Sequence, residues 1–202
     1  MKKVFMVLLT ALIFITGSCI SASAANTTHT VASGDTLWKI AVKYQVGVSE
    51  LISANTQLKN PDMIYPGQKI NIPQTDTTVA SYEQQVIDKV NEIRVQNGLK
   101  KLTANWDLSR VARYKSQDMH DKKYFSHTSP TYGSPFTMIK NFGISYRTAG
   151  ENIAMGYRTP EAVVNGWMNS SGHRANILNA NYTQIGVGYV ADGNYWTQMF
   201  IG

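Results

Sequence analysis

Apolar residues along the chain follow three rhythms: one long run near the start, six stretches at helical spacing, and a few short strand-like runs. Residues 4–15 are the long run, interrupted only by Thr10. Beyond them, His29-Thr30-Val31 reads as a strand, and Asp35 stands where a helix cap belongs, ahead of Leu37, Ile40, Ala41 and Tyr44. A second short helix begins near Ser49 and carries Leu51, Ile52 and Asn55, and Ile64-Tyr65-Pro66-Gly67 turns into the strand Lys69-Ile70-Asn71-Ile72. Residues 74–81 follow Pro73, lack periodicity and large core side chains, and are expected to be a linker.

A different pattern starts at residue 82. Val86, Val90 and Ile93 form one stripe that ends at Asn97-Gly98, and Asn105 precedes a second stripe of Leu108, Val111, Ala112 and Met119. Ser134-Pro135 and Thr159-Pro160-Glu161 open two more helices, the first carrying Met138, Ile139 and Phe142, the second Val163, Val164, Trp167 and Met168. Residues 185–190 and 195–201 read as strands joined by a hairpin turn at 191–194. Helices first and paired strands last predict an α+β arrangement with helices covering an antiparallel sheet. Gly186 and Gly188 inside a strand call for the close approach of another element. Trp106, Trp167 and Trp196 are expected in the core, and Trp38 is left open.

The first apolar run changes the picture of where the chain acts. Lys2 and Lys3 precede it, Ala22-Ser23-Ala24 offers a cleavage site, and the run is too short for a confident membrane span, so residues 1–24 read as a secretion signal. A minor alternative is lipidation at Cys19, since Thr16-Gly17-Ser18-Cys19 is similar to a bacterial lipobox. Cleavage after Ala24 removes the single cysteine, so the exported part has neither a disulfide nor a cysteine nucleophile. It also lowers the basic count from 19 to 17 against 13 acids, a net charge of +4. That excess suits adhesion to an anionic wall, and nothing in it forms a nucleic-acid stripe.

Chemistry concentrates in three polar interruptions: Phe125-Ser126-His127, Gly150-Glu151-Asn152 and Ser171-Gly172-His173-Arg174. Two of the chain's four histidines and a glutamate lie there, which is what a metal or acid–base pocket needs. Three readings stay open. In the first, His127 and His173 ligate Zn2+, with Glu151 taking a proton from bound water or orienting a histidine. In the second, Ser126, Ser170 or Ser171 is a nucleophile served by a histidine and Glu151, although neither a G-x-S-x-G elbow nor an H-E-x-x-H zinc motif occurs. In the third, Glu151 accepts loop hydrogen bonds while Arg174 and Asn176 brace the turn after His173. Glu161 is read as a partner of its own helix N-terminus, and His29 and His120 as local hydrogen-bonding residues.

The small unit resembles a LysM domain through Thr30-Val31, Ser33-Gly34-Asp35-Thr36-Leu37-Trp38-Lys39-Ile40-Ala41, Asn55 and the run from Asn60 to Ile70. The resemblance covers residues 29–73 and implies a small βααβ fold that binds N-acetylglucosamine-containing glycans such as peptidoglycan. It places a groove between Gly34, Asp35, Thr36 and Leu37 on one side and Ile64, Tyr65 and Pro66 on the other. Residues 82–202 resemble the CAP superfamily, also called SCP or PR-1-like. The matching segments run from Val90-Asn91-Glu92-Ile93-Arg94 through Phe125-Ser126-His127, Gly150-Glu151-Asn152 and Ser171-Gly172-His173-Arg174 to Ile185-Gly186-Val187-Gly188. That resemblance implies an α-β-α sandwich whose cavity presents two histidines and two acids. His127, Glu151 and His173 fall on three of those positions, and Ser170 stands where the second glutamate is expected. Together the resemblances imply a secreted bacterial cell-wall protein that binds peptidoglycan or a related N-acetylglucosamine polymer through LysM, with no nucleic-acid partner and no transmembrane segment once processed. Cell-wall or spore-coat proteins form a second partner class. The enzymatic alternative is a metal-assisted peptidoglycan hydrolase or a secreted protease using the CAP cavity.

Overall fold

The structure, a computed structural model, describes residues 27–74 and 76–202. The secretion signal and the Cys19 lipobox lie outside these residues. At the N-terminal side, strand β1 (Thr27–Thr30) pairs antiparallel with β2 (Lys69–Ile72), and helices α1 (Leu37–Tyr44) and α2 (Val48–Ser53) lie between them in the chain. This is the expected βααβ unit. The α1 stripe of Leu37, Ile40 and Ala41 packs with Val31, Leu51, Ile70 and Ile72 in one core. Asn55, buried, ties α2 to β2: its amide donates to the carbonyls of Leu51 and Asn71 at 2.7 and 2.8 Å, and its Oδ1 accepts the Asn71 N–H at 2.7 Å.

Two local expectations change. Thr36, not Asp35, caps α1, its hydroxyl accepting the Lys39 N–H at 3.1 Å. Asp35 lies one residue further from the helix and turns back, accepting the Ala32 N–H at 2.8 Å. The stretch expected to be a linker is helical from Thr77, because Asp76 caps α3 (Thr77–Gln96) with hydrogen bonds from the N–H groups of Thr78 and Val79. Val79 and Tyr82 pack on the neighbouring core, so the helix begins earlier than the Val86 stripe alone suggests.

The remaining elements are β3 (Thr103–Ala104), α4 (Trp106–Asp121), α5 (Pro135–Asn141), β4 (Ala149–Met155), α6 (Pro160–Met168), α7 (Ser171–Ile177), β5 (Gln184–Val190) and β6 (Tyr195–Ile201). They form a four-stranded sheet in the order β3-β5-β6-β4, antiparallel except for the short β3–β5 pair. Of these four strands, the sequence pattern predicts only β5 and β6. β3 has two residues, too few for a pattern, and β4 carries Gly150, Glu151 and Asn152 where a strand usually shows apolar alternation. One core packs the sheet against α3, α6 and α7, and a second joins α4, α5 and β6, giving the expected helix–sheet–helix sandwich.

Helix α4 lies directly on β5, and the two strand glycines make that possible. A Cβ at Gly186 would collide with the backbone of Leu108 and Ser109, and one at Gly188 with the backbone of Ala112 and Arg113. The Ser109 hydroxyl accepts the Val187 N–H at 3.1 Å, and the Ser116 hydroxyl donates to the Gly188 carbonyl at 3.1 Å. Gly188→Ala should therefore destabilise the protein by about 1–3 kcal/mol or more, the range of core overpacking, whereas Gly172→Ala, facing open space, should not. Urea unfolding distinguishes them, and equal midpoints would contradict the close packing.

Candidate functional site

Helix α4 continues its buried stripe past Leu108, Val111 and Ala112 with a charged residue, Lys115, which is fully buried. Its ammonium donates to the carbonyls of Ser126 and His127 at 2.7 and 2.9 Å and to the Tyr124 hydroxyl at 3.1 Å. Burial pulls the Lys115 pKa down, while the charges of Glu151 and Asp118 oppose that shift. Asp118, one turn later, accepts hydrogen bonds from the hydroxyls of Tyr124, Ser129 and Thr131. Burial pushes Asp118 up, but these bonds and the Lys115 charge together hold it below the usual carboxylate value. Two charged residues of one helix thus fix the irregular segment 122–133.

That anchoring delivers His127 to the sheet. His127 Nδ1 lies 2.7 Å from Glu151 Oε1 on β4. The histidine side chain is 53% exposed and the glutamate 2% exposed, so the pair spans the boundary between solvent and interior. Glu151 Oε2 is buried without a hydrogen-bond partner among the described residues.

His173 arrives from α7. Asn152 on β4 donates to the His173 carbonyl at 3.2 Å and to Gln198 Oε1 at 2.9 Å, and Asn176 donates to Asn152 Oδ1 at 2.8 Å and to the Glu151 carbonyl at 3.1 Å. The Trp167 indole N–H donates to the Ile153 carbonyl at 3.2 Å. Side chains from α6 and α7 therefore satisfy the outer carbonyls of β4, which lies at the sheet edge. Gly150 leaves room for the Tyr182 hydroxyl and Asn176 beside that strand. Burial, and secondarily the His127 charge, lower the His173 pKa below its ordinary 6.5. His173 and Ser170 line a cavity of about 310 Å³ with Phe125, Ile153, Tyr157 and Trp167.

The geometry favours some of the expected chemistry. His127 Nδ1 and Glu151 Oε1 are within hydrogen-bond distance, and in the Nδ1–H tautomer the imidazole donates to the carboxylate and keeps Nε2 as its acceptor nitrogen. Among the described residues, none of the three serines is hydrogen-bonded to a histidine, and the Ser126 hydroxyl oxygen instead accepts the Thr128 N–H at 3.2 Å. For Zn2+, the donor set is two imidazoles. Among the described residues no three His, Cys, Asp or Glu side chains gather to hold an ion, whereas catalytic zinc takes three protein ligands. The donors therefore do not fit a catalytic zinc centre, and no chemical step is routed through one. Glu161 pairs with Lys89 at 2.5 Å rather than joining the cavity. His29 bonds to Asp35 and Tyr44, and His120 bridges Asp121 and Asp192. Sequence reasoning missed Lys115, Asp118 and Gln198; a lysine on an apolar helical stripe was the signal available for the first.

In the N-terminal unit the loops at 34–37 and 64–66 are joined at their base by continuing the β1–β2 ladder, Val31 N–H to the Gln68 carbonyl at 2.8 Å and Gly67 N–H to the Val31 carbonyl at 2.9 Å. Gly34 and Gly67 both have positive φ, +86° and +89°, so each loop turns where glycine is favoured. Asp35 is locked by His29, which lowers its pKa, and by the Ala32 N–H. Lys39 Nζ donates to the Gly34 carbonyl at 2.7 Å. The Leu37 side chain is in the core, leaving its backbone at the loop, while Tyr65 is 56% exposed.

Comparison with known proteins agrees with this division. The pattern of CAP, described as the cysteine-rich secretory protein family, matches residues 87–200, and that of the LysM domain matches residues 29–73. Among curated relatives, the Bacillus subtilis protein YkwD is 62% identical over 126 residues, covering 62% of this chain and 49% of its own length. The Bacillus cereus spore coat assembly protein ExsA is 60% identical over 45 residues, 22% of this chain and 7% of that protein. The chain thus spans about half or less of these relatives. A crystal structure of an extracellular SCP-domain protein from Bacillus anthracis aligns with a TM-score of 0.59 at 35% identity, over 67% of this chain and 47% of that one.

The proximity of the two histidines is directly testable. Replacing His127 by Ala should raise the His173 pKa toward 6.5 without reaching it, since burial is the larger cause and persists. NMR titration of the imidazole resonances reads this, and an unchanged His173 value would separate the two residues. Because the folded His173 value is depressed, its share of stability is full above pH 6.5 and is lost as pH falls through that value. That loss should be smaller in the variant.

Proposed function

The chain belongs to the CAP family, and from that premise we propose a secreted, wall-attached protein whose LysM unit grips N-acetylglucosamine-containing glycan while the CAP cavity is presented to wall material. The observation that carries this reading is the pair of loops at 34–37 and 64–66, held side by side by the Val31–Gln68 ladder with Tyr65 exposed beside them. Tyr65 offers a face for a sugar ring, and the backbone of Gly34, Asp35 and Thr36 offers hydrogen bonds for acetamido groups. Asp35 fixes one loop before any ligand arrives, which lowers the ordering cost of binding. Attachment of this kind raises the local concentration of wall polymer around the second unit.

The leader-like residues 1–24 support export, and among the described residues no helix is long and apolar enough to cross a membrane. The likeness of the LysM unit to part of a spore coat assembly protein supports spore-coat proteins as a second partner class. For the CAP unit we favour binding or assembly. The His127–Glu151 pair favours a second reading, hydrolysis of peptidoglycan or peptide, in which His127 would accept a proton from an attacking water at Nε2.

Purified protein should sediment with peptidoglycan and release neither muropeptides nor peptides, with or without added zinc. Protein lacking residues 29–73 should stay in the supernatant, and Tyr65→Ala should weaken binding by roughly threefold to tenfold, as expected for one aromatic contact. Retention after the deletion would overturn the assignment to LysM. Release that Glu151→Gln abolishes in a folded protein would transfer the conclusion to the hydrolase.

A further inference from the structure

A cleft of about 660 Å³ lies between the two units, and neither the 34–37 and 64–66 loops nor the His127–Glu151 pair lines it. One wall is the outer face of α1, where Trp38 is 65% and Val42 41% exposed. The other is the start of α4 and the end of α5, with Trp106, Asp107, Arg110 and Phe142. Its volume lies within the range of small-molecule sites.

The one guanidinium of the cleft is matched by carboxylates, so the cleft carries no excess positive charge. The Arg110 guanidinium donates to Asp107 Oδ1 at 3.0 and 2.9 Å, approaches Glu50 at 3.8 Å and lies over the Phe142 ring at 5.1 Å. No cation is left over for a phosphate, and an acyl chain would bury these charged groups against hydrocarbon at a cost. What the walls offer is two indoles, the Phe142 ring, and donors and acceptors already fixed by one another. That chemistry matches a neutral polymer of ring faces, hydroxyls and amides.

We infer that the cleft is a second saccharide subsite, in which an N-acetylglucosamine strand leaving the 34–37 and 64–66 loops runs between α1 and α4. The inference rests on the glycan-binding reading of the LysM unit. Trp38, on one wall of the cleft, directly follows the 34–37 loop in the chain, so a strand leaving that loop has the cleft wall as its next neighbour along α1. A strand held this way is gripped by both units at once, which fixes the CAP cavity relative to the polymer and makes affinity depend on strand length.

Calorimetry on the full chain tests this with a short N-acetylglucosamine oligomer that fills one groove and a long one that reaches both. The long oligomer should bind more tightly, and Trp106→Ala should remove that advantage, about threefold to tenfold, while leaving the short oligomer unaffected. Trp38→Ala reads the same cleft from a largely exposed side chain should Trp106→Ala fail to fold. An unchanged long-to-short ratio, or an equal loss for both oligomers, overturns the inference while the LysM reading stands. Binding of neither oligomer removes the LysM reading and the inference with it.

Discussion

The approach of α4 to β5 is the constraint from which the CAP unit is built. Where Gly186 and Gly188 lack side chains, the helix backbone settles onto the strand, and the Ser109 and Ser116 hydroxyls bond to it. A helix seated so close has one fixed rotation. Leu108, Val111 and Ala112 then fill the core, and Lys115, Ser116 and Asp118 occupy the next buried positions at the same helical spacing.

Those polar residues turn a packing device into a site. Lys115 and Asp118 offset their own burial by ordering segment 122–133, which presents His127 to Glu151 on the edge strand β4. On the opposite face, the Asn152–Asn176–Gln198 network holds α7 and His173 against the same strand. The site is therefore assembled at a sheet edge from two helical layers, with one histidine half in solvent and the other shifted toward its neutral form. Among the described residues, Glu151 Oε2 and Gln198 Nε2 are the buried side-chain polar atoms left without a partner, and they mark where polar capacity remains.

Much of this was legible in sequence because the helices carry strong apolar stripes and side-chain caps, and because Gly186 and Gly188 are anomalous inside a strand. The three polar interruptions also come together in the fold: His127 and Glu151 meet, and His173 feels the His127 charge. Strand β4 escaped notice because it carries the site, so Glu151 and Asn152 replace the apolar alternation by which strands are read. Asp35 and Thr36 both suit a helix cap by type, and only the tertiary pull of His29 and Ala32 on Asp35 decided between them. The anchoring role of Lys115 was hidden for a related reason: its partners are backbone carbonyls, which no sequence pattern displays.

Under the proposed function the LysM unit grips polymer, and the CAP unit presents the His127–Glu151 pair on a rigidly built edge strand. That rigidity is the central structural claim, and amide hydrogen exchange of Lys115→Met against the parent tests it most directly. Removing the ammonium leaves the Ser126 and His127 carbonyls without their donor, so protection should fall in segment 122–133 while β5 and β6 keep theirs. Undiminished protection around His127 in the folded variant would contradict the view that α4 holds the site in place.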